Sequence, residues 1–163
     1  MTIRFFSPFA ILLVWFAPIT LLGQAKSTCA LRPANLMQMR HCYRPLLVFS
    51  PNESDPRLKK QQSTLDSAAD DMMDRFVLFL PVLAKSTSYQ PPLDTPYALL
   101  SSKELTSLRT GFHIPQNQFA VLLLGEDGFI KLRSNAPVSI NRINTLIDAM
   151  PERKAEMQRP HAN

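Results

Sequence analysis

The stretch RPLLVFSPNESDPRLKKQ, residues 44–61, decides how the rest of the chain is read. Leu46-Leu47-Val48-Phe49 is a continuous apolar run, the pattern of a strand covered on both faces rather than one with a wet side. Polar residues from Asn52 onward end it. Asp55 is then a good N-cap, and Pro56 fits the first helical position, where its missing N–H costs nothing. A buried strand therefore turns sharply into a helix. In many exported proteins such a junction carries a reactive cysteine, whereas here it carries Asn52, Glu53, Ser54 and Asp55.

Downstream, Leu58, Leu65, Ala68, Ala69 and Met72 fall on one face of a single amphipathic helix, with Lys59, Lys60, Asp66, Asp70 and Asp71 elsewhere. A second apolar strand lies within Arg75 to Leu83, and Pro81 predicts that its pairing ends or bulges there. Residues 84–98 have the composition of a surface loop. Ser101 with Glu104 forms a capping box that opens a short helix stopped near Gly111. Phe119 to Leu124 is a third strand, and Gly125-Glu126-Asp127-Gly128 is a hairpin turn into Phe129 to Arg133, where alternation puts Ile130 and Leu132 on one face and Lys131 and Arg133 on the other. The last helix runs from about Ser139 to Met150 on a stripe of Ile140, Ile143, Leu146, Ile147 and Met150, and Pro151 marks its end. Met72, Met73, Phe76, Phe79 and Phe119 read as core. Right-handed crossovers give a parallel pair, and the hairpin adds antiparallel strands. The order β-α-β-α-β-β-α thus predicts an α/β, thioredoxin-like fold, a mixed four-stranded sheet with helices on both faces.

The amino terminus predicts the compartment. Arg4 precedes the apolar run Phe5 to Leu22, which ends in Gly23-Gln24-Ala25, so residues 1–25 read as a signal peptide and the mature chain as exported, to periplasm or medium. A retained anchor is the alternative, but Pro8 and Pro18 interrupt the run and no basic cluster follows it. Losing 25 of 163 residues leaves 138, enough for one domain, and the formal charge falls from +5 to +4 because only Arg4 is lost. No block of basic residues argues for nucleic acid, and no other run would hold the mature chain in a membrane. Residues 26–43 form a polar lead-in with a short helix around Asn35 to Met39, residues 44–157 the domain, and residues 158–163 a flexible tail. Cys29 and Cys42 both lie in the lead-in. Two cysteines 13 positions apart in an oxidising compartment most often make one structural bridge, with free thiols or a redox pair as alternatives. His41 and His113 lack the spacing that would join them in a zinc site, so neither metal nor cofactor is expected.

RPLLVFSPNESDPR, FAVLLLGEDGFIKLRSNAPV and LIDAMPERKAEM together resemble a peroxiredoxin-related domain of unknown function, found in small exported bacterial proteins and in vertebrate extracellular proteins with sushi modules. The resemblance spans about residues 44–157 and implies a thioredoxin-like fold without an established activity. Thiol chemistry in such folds needs a cysteine at the first helix turn, where the helix dipole lowers its pKa, and a cis-proline facing it. The turn has no sulfur, and Phe119 stands at the proline position. The leading expectation is therefore a non-catalytic module that binds a partner protein or a small anionic ligand. Its polar spot would be the turn of Asn52, Ser54, Asp55 and Arg57, at the carboxyl end of the first strand. With the third strand taken as parallel to the first, Gly125 and Glu126 fall at that same end and Phe119 at the far end. The competing expectation is a thiol oxidoreductase or peroxidase using Cys42, with Cys29 as resolving partner.

Overall fold

The central strand, β1 (Arg44–Asn52), is buried over its first seven residues. The computed structural model describes residues 29–85, 89–91 and 94–158, so the predicted signal peptide and most of the predicted tail lie outside the described residues. Among the described residues no helix is long and apolar enough to cross a membrane. Before β1 comes a one-turn helix, α1 (Leu36–Met39), and after it α2 (Pro56–Asp66), α3 (Ala69–Asp74), β2 (Val77–Lys85), α4 (Ser102–Gly111), β3 (Ala120–Leu124), β4 (Ile130–Ser134), α5 (Ile140–Asp148) and α6 (Pro151–Met157).

The sheet order is β2-β1-β3-β4. β1 and β2 are parallel, β3 is antiparallel to β1, and β4 is antiparallel to β3. Side-chain alternation divides the core into two layers. Leu46 and Val48 join Leu58, Leu65, Met72, Ile143 and Ile147 on the face covered by α2, α3 and α5. Leu47 and Phe49 join Met39 and Leu108 on the face covered by α1 and α4. Both faces of β1 are thus dry, which is why its sequence is uniformly apolar and does not alternate.

Five local expectations are corrected. The predicted single helix after the turn is two: Ser67 caps α2 and its hydroxyl donates to Thr64 O at 3.1 Å, while α3 restarts after Ala68 without a side-chain cap. Short hydroxyl side chains compete with the helical ladder in this way. The buried stripe nevertheless persists, with Leu58, Leu65 and Met72 all fully buried. Second, pairing does not end at Pro81, which lies opposite Val48 in a ladder that continues to Lys85. Phe79 bonds outward to Pro96 O and from Ala98 N. By strand parity Pro81 also faces outward, so its missing N–H falls on the outer side of an edge strand. Third, Leu123 pairs Leu132 whereas Leu124 pairs Ile130. The extra residue, Lys131, is a bulge that sends Ile130 and Leu132 to opposite faces, leaving Leu132 buried and Ile130 exposed. Fourth, Met73 and Phe76 are exposed, whereas Met72, Phe79 and Phe119 are core as expected. Beyond Pro151 the chain also forms α6, whose proline occupies the first turn instead of only closing α5.

Cys29 and Cys42 form a disulfide with Cα atoms 5.6 Å apart. It fastens the lead-in beside β1, where Tyr43 Oη donates to Ala30 O at 2.9 Å and His41 N donates to Glu126 O at 2.9 Å. Replacing both cysteines with Ser is expected to lower stability by about 3 kcal/mol while leaving the sheet intact, read as the urea midpoint against unchanged far-ultraviolet circular dichroism.

Candidate functional site

The turn between β1 and α2 is filled by its own side chains. Asp55, 8% exposed, caps α2 by accepting from Arg57 N at 2.8 Å. The same carboxylate takes the Arg57 guanidinium in a fork, Nε to Oδ1 at 3.0 Å and Nη2 to Oδ2 at 2.6 Å. Asn52 Oδ1 accepts from Ser54 N at 2.9 Å, closing the turn ahead of the cap. The side-chain hydrogen bonds from Arg57 hold the Asp55 carboxyl below its ordinary range despite burial. All four predicted site residues thus come together, but the anion at this helix end is supplied by Asp55 itself.

The turn lies at the carboxyl end of β1 as expected, but the antiparallel pairing of β1 with β3 reverses the expected placement of Phe119 and of Gly125 and Glu126. Phe119, just before β3, lies at the turn, its ring centroid 5.1 Å from the Arg57 guanidinium carbon. Among the described residues no peptide bond is cis. Gly125 and Glu126 lie at the opposite end, where β1 begins. There Arg44 is fully buried and pairs with Glu126 at 3.0 Å and Glu156 at 2.6 Å, while also donating to Arg75 O at 2.8 Å. Arg153, on α6, pairs with Glu156, Asp148 and Asp74. This network was not predicted; the alternating Arg and Glu of PERKAEM was its only trace. Burial, together with the neighbouring Glu156, pushes the Glu126 carboxyl up, whereas hydrogen bonds to Arg44 keep Glu156 below its ordinary range. The basic pair on β4 is engaged as well: Lys131 with Asp127 at 2.5 Å, and Arg133 donating to Phe112 O at 3.2 Å.

A third arrangement escaped the sequence reading. Arg109, on α4 and 8% exposed, donates to Ser50 O, to Val82 O at 2.8 Å and to Pro115 O at 2.9 Å, with Phe49 beneath it at 5.6 Å. It braces β1 and β2 near their carboxyl ends. Burial pushes its pKa down, and no carboxylate draws it back up. A cleft of about 740 Å³ opens beside it, between α4 and the outer side of β2. Among the described residues no group of His, Cys, Asp and Glu is arranged to hold a metal ion.

These layers and strand order define a thioredoxin-like fold. Solved structures with the same architecture include a reduced 2-Cys peroxiredoxin from Plasmodium vivax, 20% identical over 78% of this chain and 76% of that one, with a TM-score of 0.57. Thioredoxin peroxidase I from Plasmodium yoelii is 19% identical over 78% and 84%, with a TM-score of 0.53, and a thiol:disulfide interchange protein from Bacteroides sp. is 11% identical over 74% and 81%, at 0.50. Within that class the chain belongs to the DUF4174 family, a domain of unknown function whose model matches residues 35–156. No match to a curated protein was found.

The charges at the two sheet ends can be tested with three variants. Asp55→Ala removes the cap and is expected to cost about 1–2 kcal/mol in urea unfolding. A depressed carboxyl contributes stability that is present above its unfolded pKa of about 3.9 and lost as pH falls through the folded value, so the variant should also show a shallower acid decline. The raised Glu126 has the opposite sign: its contribution is present below the unfolded value and lost as pH rises through the folded one. Glu126→Gln, which mimics the neutral form, should therefore match or exceed the wild type in thermal midpoint at pH 7. Glu156→Gln should fall below it.

Proposed function

We propose that this chain is an exported, non-catalytic thioredoxin-like module that binds a partner or small ligand. The observation that carries the reading is the first helix turn, where Asp55 caps α2 and holds Arg57 at the position a reactive thiol occupies in the thiol-active members of the fold. A carboxylate there satisfies the same backbone donors as a thiolate but has no electrons to exchange with a disulfide. The two cysteines of the chain are bonded to each other in the lead-in, away from that turn. The disulfide and the apolar run after Arg4 support export, since such bridges persist in oxidising compartments. With Arg57 already held by Asp55, the 52–57 turn is a weak anion trap, and the ligand is better sought elsewhere on the domain.

The opposing possibility is a thiol oxidoreductase in which Cys42 attacks and Cys29 resolves. Arg44, two residues along the chain, is committed to Glu126 and Glu156, and Arg40 donates to Asp127 O, so neither is free to activate Cys42. Insulin reduction by the chain starting at Lys26, with dithiothreitol as reductant, is expected to proceed at the uncatalysed rate. Thiol titration of the native protein should find two sulfurs that react only after reduction. Turnover comparable to a thioredoxin, or a fast peroxide-sensitive thiol, would overturn the non-catalytic reading.

A further inference from the structure

We propose that the cleft between α4 and the outer side of β2 binds a small organic anion with an apolar body, a medium-chain carboxylate being its simplest form. This deepens the binding-module reading and rests on it. Three arginines are buried among the described residues: Arg44, Arg109 and Arg153. Arg44 and Arg153 each face carboxylates within ion-pair distance. Arg109 has none and is balanced only by the carbonyl dipoles of Ser50, Val82 and Pro115; its Nε–H lacks a hydrogen-bond acceptor, as do those of the other two, so the missing countercharge is what sets it apart. Burying a cation without a counterion is costly, and an anion brought close to it regains part of that cost.

Arg109 lines that cleft, and no described lining residue is acidic. The volume, about 740 Å³, falls within the range of about 300–1,000 Å³ typical of small-molecule sites. Leu83, Leu105 and Ile114 offer apolar wall, and Leu99, 56% exposed, adds to it. His113, just past the carboxyl end of α4, adds a polar group at the surface. Arg109 also grips Ser50 O and Val82 O, which places the cleft beside the carboxyl ends of two parallel strands, where open α/β sheets receive ligands. The shape and charge together fit a molecule with an apolar chain along the leucines and a carboxylate toward Arg109.

The test uses the chain from Lys26, titrated with octanoate and separately with octylamine, followed by calorimetry and amide chemical shifts. Octanoate is expected to bind, with shifts confined to α4 and β2, and octylamine to bind at least about tenfold more weakly. Because Arg109 also braces the sheet, its replacement would confound binding with folding, so the decisive variants are at Thr106, an exposed cleft residue. Thr106→Glu should weaken octanoate by about tenfold or more, and Thr106→Lys should preserve or tighten it. Absence of octanoate binding at about 10 mM, equal affinity for octylamine, shifts centred on residues 52–57, or an unchanged Thr106→Glu variant would each overturn the assignment. Those results concern the cleft alone, since the insulin assay tests the non-catalytic reading separately.

Discussion

A fully buried guanidinium at the first residue of the central strand dictates how one end of the molecule is built. Taking Arg44 out of water carries a penalty of several kcal/mol unless close carboxylates and further hydrogen bonds compensate it. Those partners come from distant parts of the chain: Glu126 from the hairpin turn, Glu156 from α6, and the carbonyl of Arg75 ahead of β2. Satisfying one charge therefore fixes the hairpin, the carboxyl-terminal helix and the entry to the second strand relative to β1. Arg153 extends the same arrangement to Asp74 and Asp148, so α6 docks through ion pairs over its short length.

The opposite end of β1 uses charge differently. Asp55 and Arg57 neutralise each other at the start of α2, and Phe119 lies against the guanidinium. In a thiol-active fold this is the place for a group whose charge depends on redox state and pH. Here it holds a carboxylate that stays ionised through the neutral range. Arg109, on α4 over the other face of the sheet, is the one buried arginine among the described residues without such compensation. Polar side chains thus perform three distinct tasks on one small sheet: locking segments together, closing a helix end, and leaving one positive site unbalanced.

The strands and helices were legible because their signals are local. The apolar run of Leu46 to Phe49, the Asp55-Pro56 cap, the Ser101 cap and the Ile143/Ile147 stripe each sit where the sequence placed them. What escaped depended on pairing across the sheet. Whether β3 runs parallel or antiparallel to β1 determines which residues share an end with the turn, and neither strand's composition states its direction. The Lys131 bulge shifts side chains without altering the hydrophobic pattern that predicts the strand. Arg109 reads in isolation as an ordinary charged helical residue. Only the convergence of Ser50, Val82 and Pro115 carbonyls reveals why it is buried.

Pro81 and the Lys131 bulge occupy the two outer strands of the sheet, and together they bear on how the molecule behaves among its own copies. An unprotected edge strand offers a row of backbone donors and acceptors that can template pairing with another chain. On β2 the outward N–H is missing at Pro81, and the segment around Tyr97 already bridges Phe79. On β4 the bulge breaks the regular spacing and Lys131 brings a charge to the rim. A strand from a neighbouring molecule would find a missing donor on one side and an irregular, charged ladder on the other. The sheet thus carries its own barriers against polymerising edge to edge.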